Sequence, residues 1–354
     1  MLRKGQLLQL YATFLSLLLC LSLEGVQQLD TKVSLPPKET AKIEAAPVPQ
    51  KGETAAEENL SGKIYVTSWF GNVVSIIDAR NLHVSAVANV GVHDSTIRLT
   101  PDQKFAWVAN NGSSTISVID TTSDKAINVF YPGGNGPNDI YFSADGKEAY
   151  VTCEFDDTLS VIDPTTFTTI ATLDTGNMPS FITGIADKLF VSNFGDGTVS
   201  VLNKATRQSI ATITVGLGPL GLSATKDGKW LFVACHSANQ IAIIDVDNLQ
   251  VTARIPTQPG PSQVLVHPGQ EYAIVTTDGI GSVQKLDLKT NQIVKTIPLA
   301  QDAGTQGAAF TNKGLLLVTN TGSSTITIVD SDSGVVVCSV AVPFAPKGIA
   351  YKNP

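Results

Sequence analysis

Tyr150 to Asp163 read YVTCEFDDTLSVID, two apolar strands on either side of the turn Glu154-Phe-Asp-Asp. The stretch returns along the chain. Its closing residue falls at Asp78, Asp120, Asp163, Asn203, Asp245, Asp287 and Asp330, at intervals of 42, 43, 40, 42, 42 and 43 residues. The strand before it opens at Tyr65, Trp107, Tyr150, Phe190, Phe232, Ile274 and Leu317. A period of ~40–45 residues carrying several short strands is the pattern of propeller blades. One such unit cannot bury its own apolar faces, whereas seven stacked in a ring can.

Within the third unit the alternation and the turn residues predict strands over 138–143, 147–153, 158–163 and 168–174. Asp145-Gly146 and Asp227-Gly228 mark the same turn, where glycine takes a positive φ without strain. The repeat opens at Gly62-Lys-Ile-Tyr-Val, a second strand with no first strand ahead of it. It ends at Pro346-Lys-Gly-Ile-Ala-Tyr, a first strand with no second. The fold class is therefore all-β: a seven-bladed β-propeller of four-stranded blades, its ring closed by the C-terminal strand completing the first blade. Such closure leaves no long open sheet edge.

The YVTN-type strand followed by V-S-V-I-D resembles the YVTN family of β-propeller repeat proteins, and the resemblance covers Gly62 to Pro354. It implies the propeller and a surface or periplasmic protein. It carries over no catalytic residue, because the motif residues themselves read as blade structure. A propeller hosts unrelated activities, so function has to be argued from a site.

Composition narrows the classes. Charged residues make up 16% of the 354, the formal net charge is −7, and the folded part has no basic run, which excludes a nucleic-acid footprint. Arg3 and Lys4 precede an uncharged, mostly apolar stretch from Gly5 to Leu23. Residues 1–26 read as a signal peptide or a signal anchor, so the propeller is expected outside the cytoplasm: secreted, periplasmic, or membrane-anchored at the cell surface. Residues 27–61, rich in Pro, Glu, Lys and Ala, read as a flexible linker, and 62–354 as the propeller. The propeller is expected to be monomeric. Cys153, Cys235 and Cys338 are an odd set on separate blades, so no disulfide framework is expected.

The repeated Asp residues are conspicuous but read as turn formers, since Asn203 fills the same place without charge. The candidate site lies elsewhere. The second-to-third and fourth-to-first connections share one face, where variable loops sit on a rigid scaffold. The ligand-binding candidates there are Trp69, Phe70, His93, Asp94, Asn138, Asp139, Glu154, Phe155, Phe194 and His236, with Arg98 in the channel below. His93, Cys153, Cys235 and His236 have ligand types suited to a transition metal, though no C-x-x-C or H-x-x-x-H spacing supports them. Matching the first strands by position places Arg98, Tyr141, Ile182, Ser223, Leu265, Ala309 and Ala350 along the channel, with no carboxylate or His among them.

These features favour an extracytoplasmic binding module over an enzyme, without deciding between them; the module would engage a protein, a surface polymer or a small ligand through one face. No cofactor is expected in that reading. The alternative is a periplasmic redox or accessory protein using a metal or cofactor. A lactonase-like hydrolase is the weaker third reading.

Overall fold

The structure, a computed structural model, describes residues 60–299 and 304–354. The expected signal segment and the expected linker up to residue 59 lie outside the described residues. Among the described residues 28 strands form seven antiparallel sheets of four. The strand nearest the axis of each sheet packs on its counterpart in the next blade, all the way round. A 3-10 turn, His236–Ala238, interrupts the pattern.

Ring closure follows the sequence reading. The C-terminal strand Pro346–Lys352 pairs antiparallel with Lys63–Ser68, joining Tyr65 to Ala350 and Lys63 to Lys352. Leu60, just ahead of the expected start, is buried in the same core as Ile64 and Leu315. The third blade has strands Pro137–Phe142, Ala149–Cys153, Thr158–Asp163 and Thr168–Asp174, within two residues of expectation.

The apolar faces fill the space between blades. Trp107 is fully buried, with the rings of Phe130 and Phe142 at 5.1 Å and Phe167 at 5.8 Å. The outermost strands alternate exposed and half-buried residues, because only one of their faces meets a neighbour. The closing Asp residues act as turn formers: Asp120 accepts the N–H groups of Thr122 and Ser123 at 3.0 and 2.7 Å. Asp287 does the same for Lys289 and Thr290, and Asn203 for Thr206.

A repeated hydroxyl rivets blade to blade. The inner strand of every blade bulges near its start, which frees backbone groups from the ladder. Thr319 accepts the freed N–H of Gly307 at 2.8 Å and donates to the carbonyl of Lys347 in the next blade at 2.9 Å. Thr67 links Gly348 to Ser95, Thr152 links Asp139 to Ser180, and Thr276 links Gln263 to Gln306 in the same way. Where the motif carries Ala109, the hydroxyl comes from Thr96, which donates to the carbonyl of Asn138 at 2.7 Å. The blades approach so closely here that a Cβ on Gly307 would lie 2.1 Å from the Lys347 carbonyl oxygen.

One channel assignment is corrected. Arg98, Tyr141, Ser223, Leu265 and Ala309 pair with Trp107, Tyr150, Phe232, Ile274 and Leu317, and the residue matching them in the fourth blade is Thr183, paired with Phe190. Ile182 packs into the core between blades and meets the channel cavity only beside Thr183. The inner hairpin of that blade turns on only Ala186 and Asp187, so counting from the turn slips by one and flips the side chains.

Thr319→Val removes the rivet without changing side-chain volume and strands two buried backbone groups. The expected loss is about 2–3 kcal/mol, read as a lower urea midpoint with an unchanged slope.

Candidate functional site

The first residues of the inner strands, together with the loops of the same face, ring the upper mouth of the channel. Lys347 is the second residue of the closing strand, with its backbone held by the Thr319 rivet. Its Nζ sits 3.6 Å from the centroid of the Trp69 ring. Trp69 in turn stacks on His93 at 5.2 Å, and Phe70 meets His93 edge-on at 6.2 Å. The ammonium makes a cation–π contact but no hydrogen bond or ion pair among the described residues. Desolvation pushes its pKa down to about 8, against the pull of Glu154 and Asp94.

Asp94 is buried on the next blade, and Glu154 is half-buried on the blade after it. Asp94 accepts the Ser68 N–H at 2.7 Å through Oδ2, while its buried Oδ1 has no hydrogen-bond partner. Burial raises its pKa to about 6. Glu154 is raised by burial as well, offset by Lys347 and by the Asn111 side chain, which donates to it at 3.1 Å. Asn138 accepts from Ser95 at 2.7 Å and reaches Glu154 at 3.4 Å.

Across the mouth, His236 Nε2 lies 3.1 Å from both carboxylate oxygens of Asp278, which raises the imidazole pKa. Asp278, Lys347, Asn138, Ser262 and Gln306 line one cavity of about 170 Å³. The site thus offers a cation, an acid–imidazole pair, and amide and hydroxyl groups able to donate or accept hydrogen bonds.

Below the mouth the channel widens into a second cavity of about 370 Å³ lined by Arg98, Tyr141, Thr183 and Ser223. Asp139, fully buried, takes Arg98 Nε at 2.9 Å and Nη2 at 3.1 Å. Its own N–H is fixed by the Thr152 rivet. Asp139 does not itself line this cavity; it stands buried behind Arg98, two residues before the matched position of Tyr141.

The fold gathers Trp69, Phe70, His93, Asp94, Asn138 and Glu154 around Lys347. His236 stands apart on Asp278, and Arg98 with Asp139 lies deeper. Phe155 is 44% exposed on the rim, over Gly136, and Phe194 lies beside Gly218 of the next blade. The expected metal set does not converge: among the described residues no three of His, Cys, Asp or Glu form a group able to hold an ion. Cys153 and Cys235 are fully buried in separate cores, with pKa pushed up to about 11 and about 12 by burial. Both point into blade packing, because alternation along the strand turns them away from the loops. Lys347 and Asp278 could be placed on this face from the repeat, but their roles could not. Asn111, one residue beyond the strand motif, carried no signal.

Asp94 gives a pH signature. Its folded pKa of about 6 exceeds the ordinary 3.8, so the native state holds more protons between those values. Stability then falls as pH rises through that window and levels off above it. Asp94→Asn is expected to abolish this loss, up to about 3 kcal/mol, as read from urea midpoints at pH 4, 5, 6 and 7.

Comparison with solved structures supports the architecture. Hydrazine synthase of Kuenenia stuttgartiensis superposes with a TM-score of 0.66 at 18% identity, over 72% of this chain and 88% of that one. A functionally unknown protein from Desulfotomaculum acetoxidans DSM 771 gives 0.72 at 18% identity, over 83% and 100%. The dihydro-heme d1 dehydrogenase NirN, solved in complex with DHE, gives 0.63 at 14% identity, over 85% and 76%. At these identities the likeness shows the fold alone. No curated protein matches. The family profile "Lactonase, 7-bladed beta-propeller" matches residues 84–268, just over half of the chain, and is compatible with YVTN-type repeats. This chain belongs to the lactonase family of seven-bladed β-propellers.

Proposed function

We propose that this protein is an extracytoplasmic binding propeller that takes a small carboxylate, or the carboxylate end of a larger partner, at the upper mouth of its channel. The observation that carries the reading is Lys347: a desolvated ammonium beside an open cavity with no anion within ion-pair distance among the described residues. A charge withdrawn from water is costly until paired, and a bound carboxylate supplies the pair. Asn138, Ser262 and Gln306 offer hydrogen bonds to the rest of the ligand. The exposed rings of Phe70 and Phe344, 62% and 67% accessible, are available to a longer partner. The extracytoplasmic placement rests on the basic and apolar N-terminal segment.

A lactone-hydrolysing reading is favoured by the family match and by Asp278, which lines the same cavity and holds His236 behind it. In that chemistry neutral His236 takes a proton from water as it adds to the lactone carbonyl. The carbonyl oxygen faces Lys347, the ring C–O bond breaks, and the ring oxygen is protonated to give the hydroxy acid. The cofactor-dependent redox reading draws on likeness of fold alone, since the NirN relative is solved with DHE.

Calorimetric titration of the full chain with lactate, malonate and gluconate tests the first reading. At least one is expected to bind, with Lys347→Met weakening it tenfold or more while the variant stays folded. No binding by any of the three, or binding indifferent to the substitution, would sink it. Turnover of δ-gluconolactone that disappears in His236→Gln would promote the hydrolase reading instead.

A further inference from the structure

The lower chamber has the make-up of a ligand site in its own right. Its volume of about 370 Å³ is roughly twice that of the mouth and falls in the range of small-molecule pockets. Its wall sets apolar Leu99, Phe142, Leu222 and Leu265 beside polar Thr183, Ser223 and Gln263. Two further groups on that wall carry unused donors.

Arg98 is locked side-on to Asp139 through Nε and Nη2. Nη1 makes no hydrogen bond among the described residues. Asp139 is itself fixed by the N–H groups of Ile182 and of its own rivet with Thr152, so the guanidinium is pre-organised. Tyr141 is the second group. Its hydroxyl also makes no hydrogen bond among the described residues, and its ring fits beside Gly184, where a Cβ would lie 2.4 Å from the phenol. Both unused donors belong to matched positions on adjacent inner strands and line the same cavity.

We propose that the lower chamber binds an amphipathic monocarboxylate, its carboxylate on Arg98 and Tyr141 and its aromatic or branched apolar body against the chamber wall. The Arg98–Asp139 pair is neutral overall and no other charged side chain lines the chamber, so a single negative charge suits it better than two. This site is separate from the one at Lys347 and stands whether or not that reading holds.

The test is titration of the full chain with benzoate, followed by calorimetry and by saturation-transfer NMR, with benzamide as the neutral counterpart. Benzoate is expected to bind at least about fivefold more tightly than benzamide. Tyr141→Phe, which keeps the ring and removes only the hydroxyl, is expected to weaken benzoate about tenfold with an unchanged melting temperature. Arg98→Lys, which retains charge but loses the fork, is expected to weaken it at least as much. Absence of benzoate binding, equal binding of benzamide, or binding lost in Lys347→Met but retained in Tyr141→Phe would each overturn the proposal.

Discussion

The hydroxyl of Thr319, shared between an N–H of its own blade and a carbonyl of the next, stands for the constraint on which the ring depends. Sheets that stack only through aliphatic side chains can slide, because dispersion and hydrophobic contact are not directional. The rivets at Thr67, Thr152, Thr276 and Thr319 add direction at the narrow end of the blades, where bulges have already released the backbone from the ladder. They fix the inner strands they join against one another in height as well as in distance.

That constraint reaches the functional face. The carbonyl of Lys347 is one rivet's acceptor, and the N–H of Asp139 is another rivet's donor. The two residues that set the charge of the upper mouth and of the lower chamber are thus held by the same device that holds the ring. Side chains at such points can carry uncomfortable states, here a desolvated ammonium and a half-partnered buried Asp94, because the backbone beneath them is over-determined.

The two cavities divide the channel by chemistry. Phe181 and Gln263 border both, with Lys347, Asp278, Asn138 and Gln306 above and the Arg98 guanidinium, Tyr141, Thr183 and Ser223 below. The family match places this chain among the seven-bladed lactonase propellers, yet within one architecture such differences in side-chain placement decide what is bound or turned over.

The sequence by itself determined the architecture. The 40–43-residue interval, the strand motif and the split first blade already specified seven blades and their closure, because blade strands are local and their turns are written in Asp, Asn and Gly. It also identified the turn role of the repeated Asp residues and the face on which Trp69, His93, Asp94, Asn138 and Glu154 gather. Only the tertiary structure decided which of these meet. Lys347 finds Trp69 because ring closure brings residues 278 positions apart into contact, and Asp139 reaches Arg98 because the inner strands of adjacent blades pack on each other. Cys153 and Cys235 look like ligands in one dimension and are core residues in three, since whether a strand's last side chain faces loop or blade depends on packing that a linear spacing does not encode.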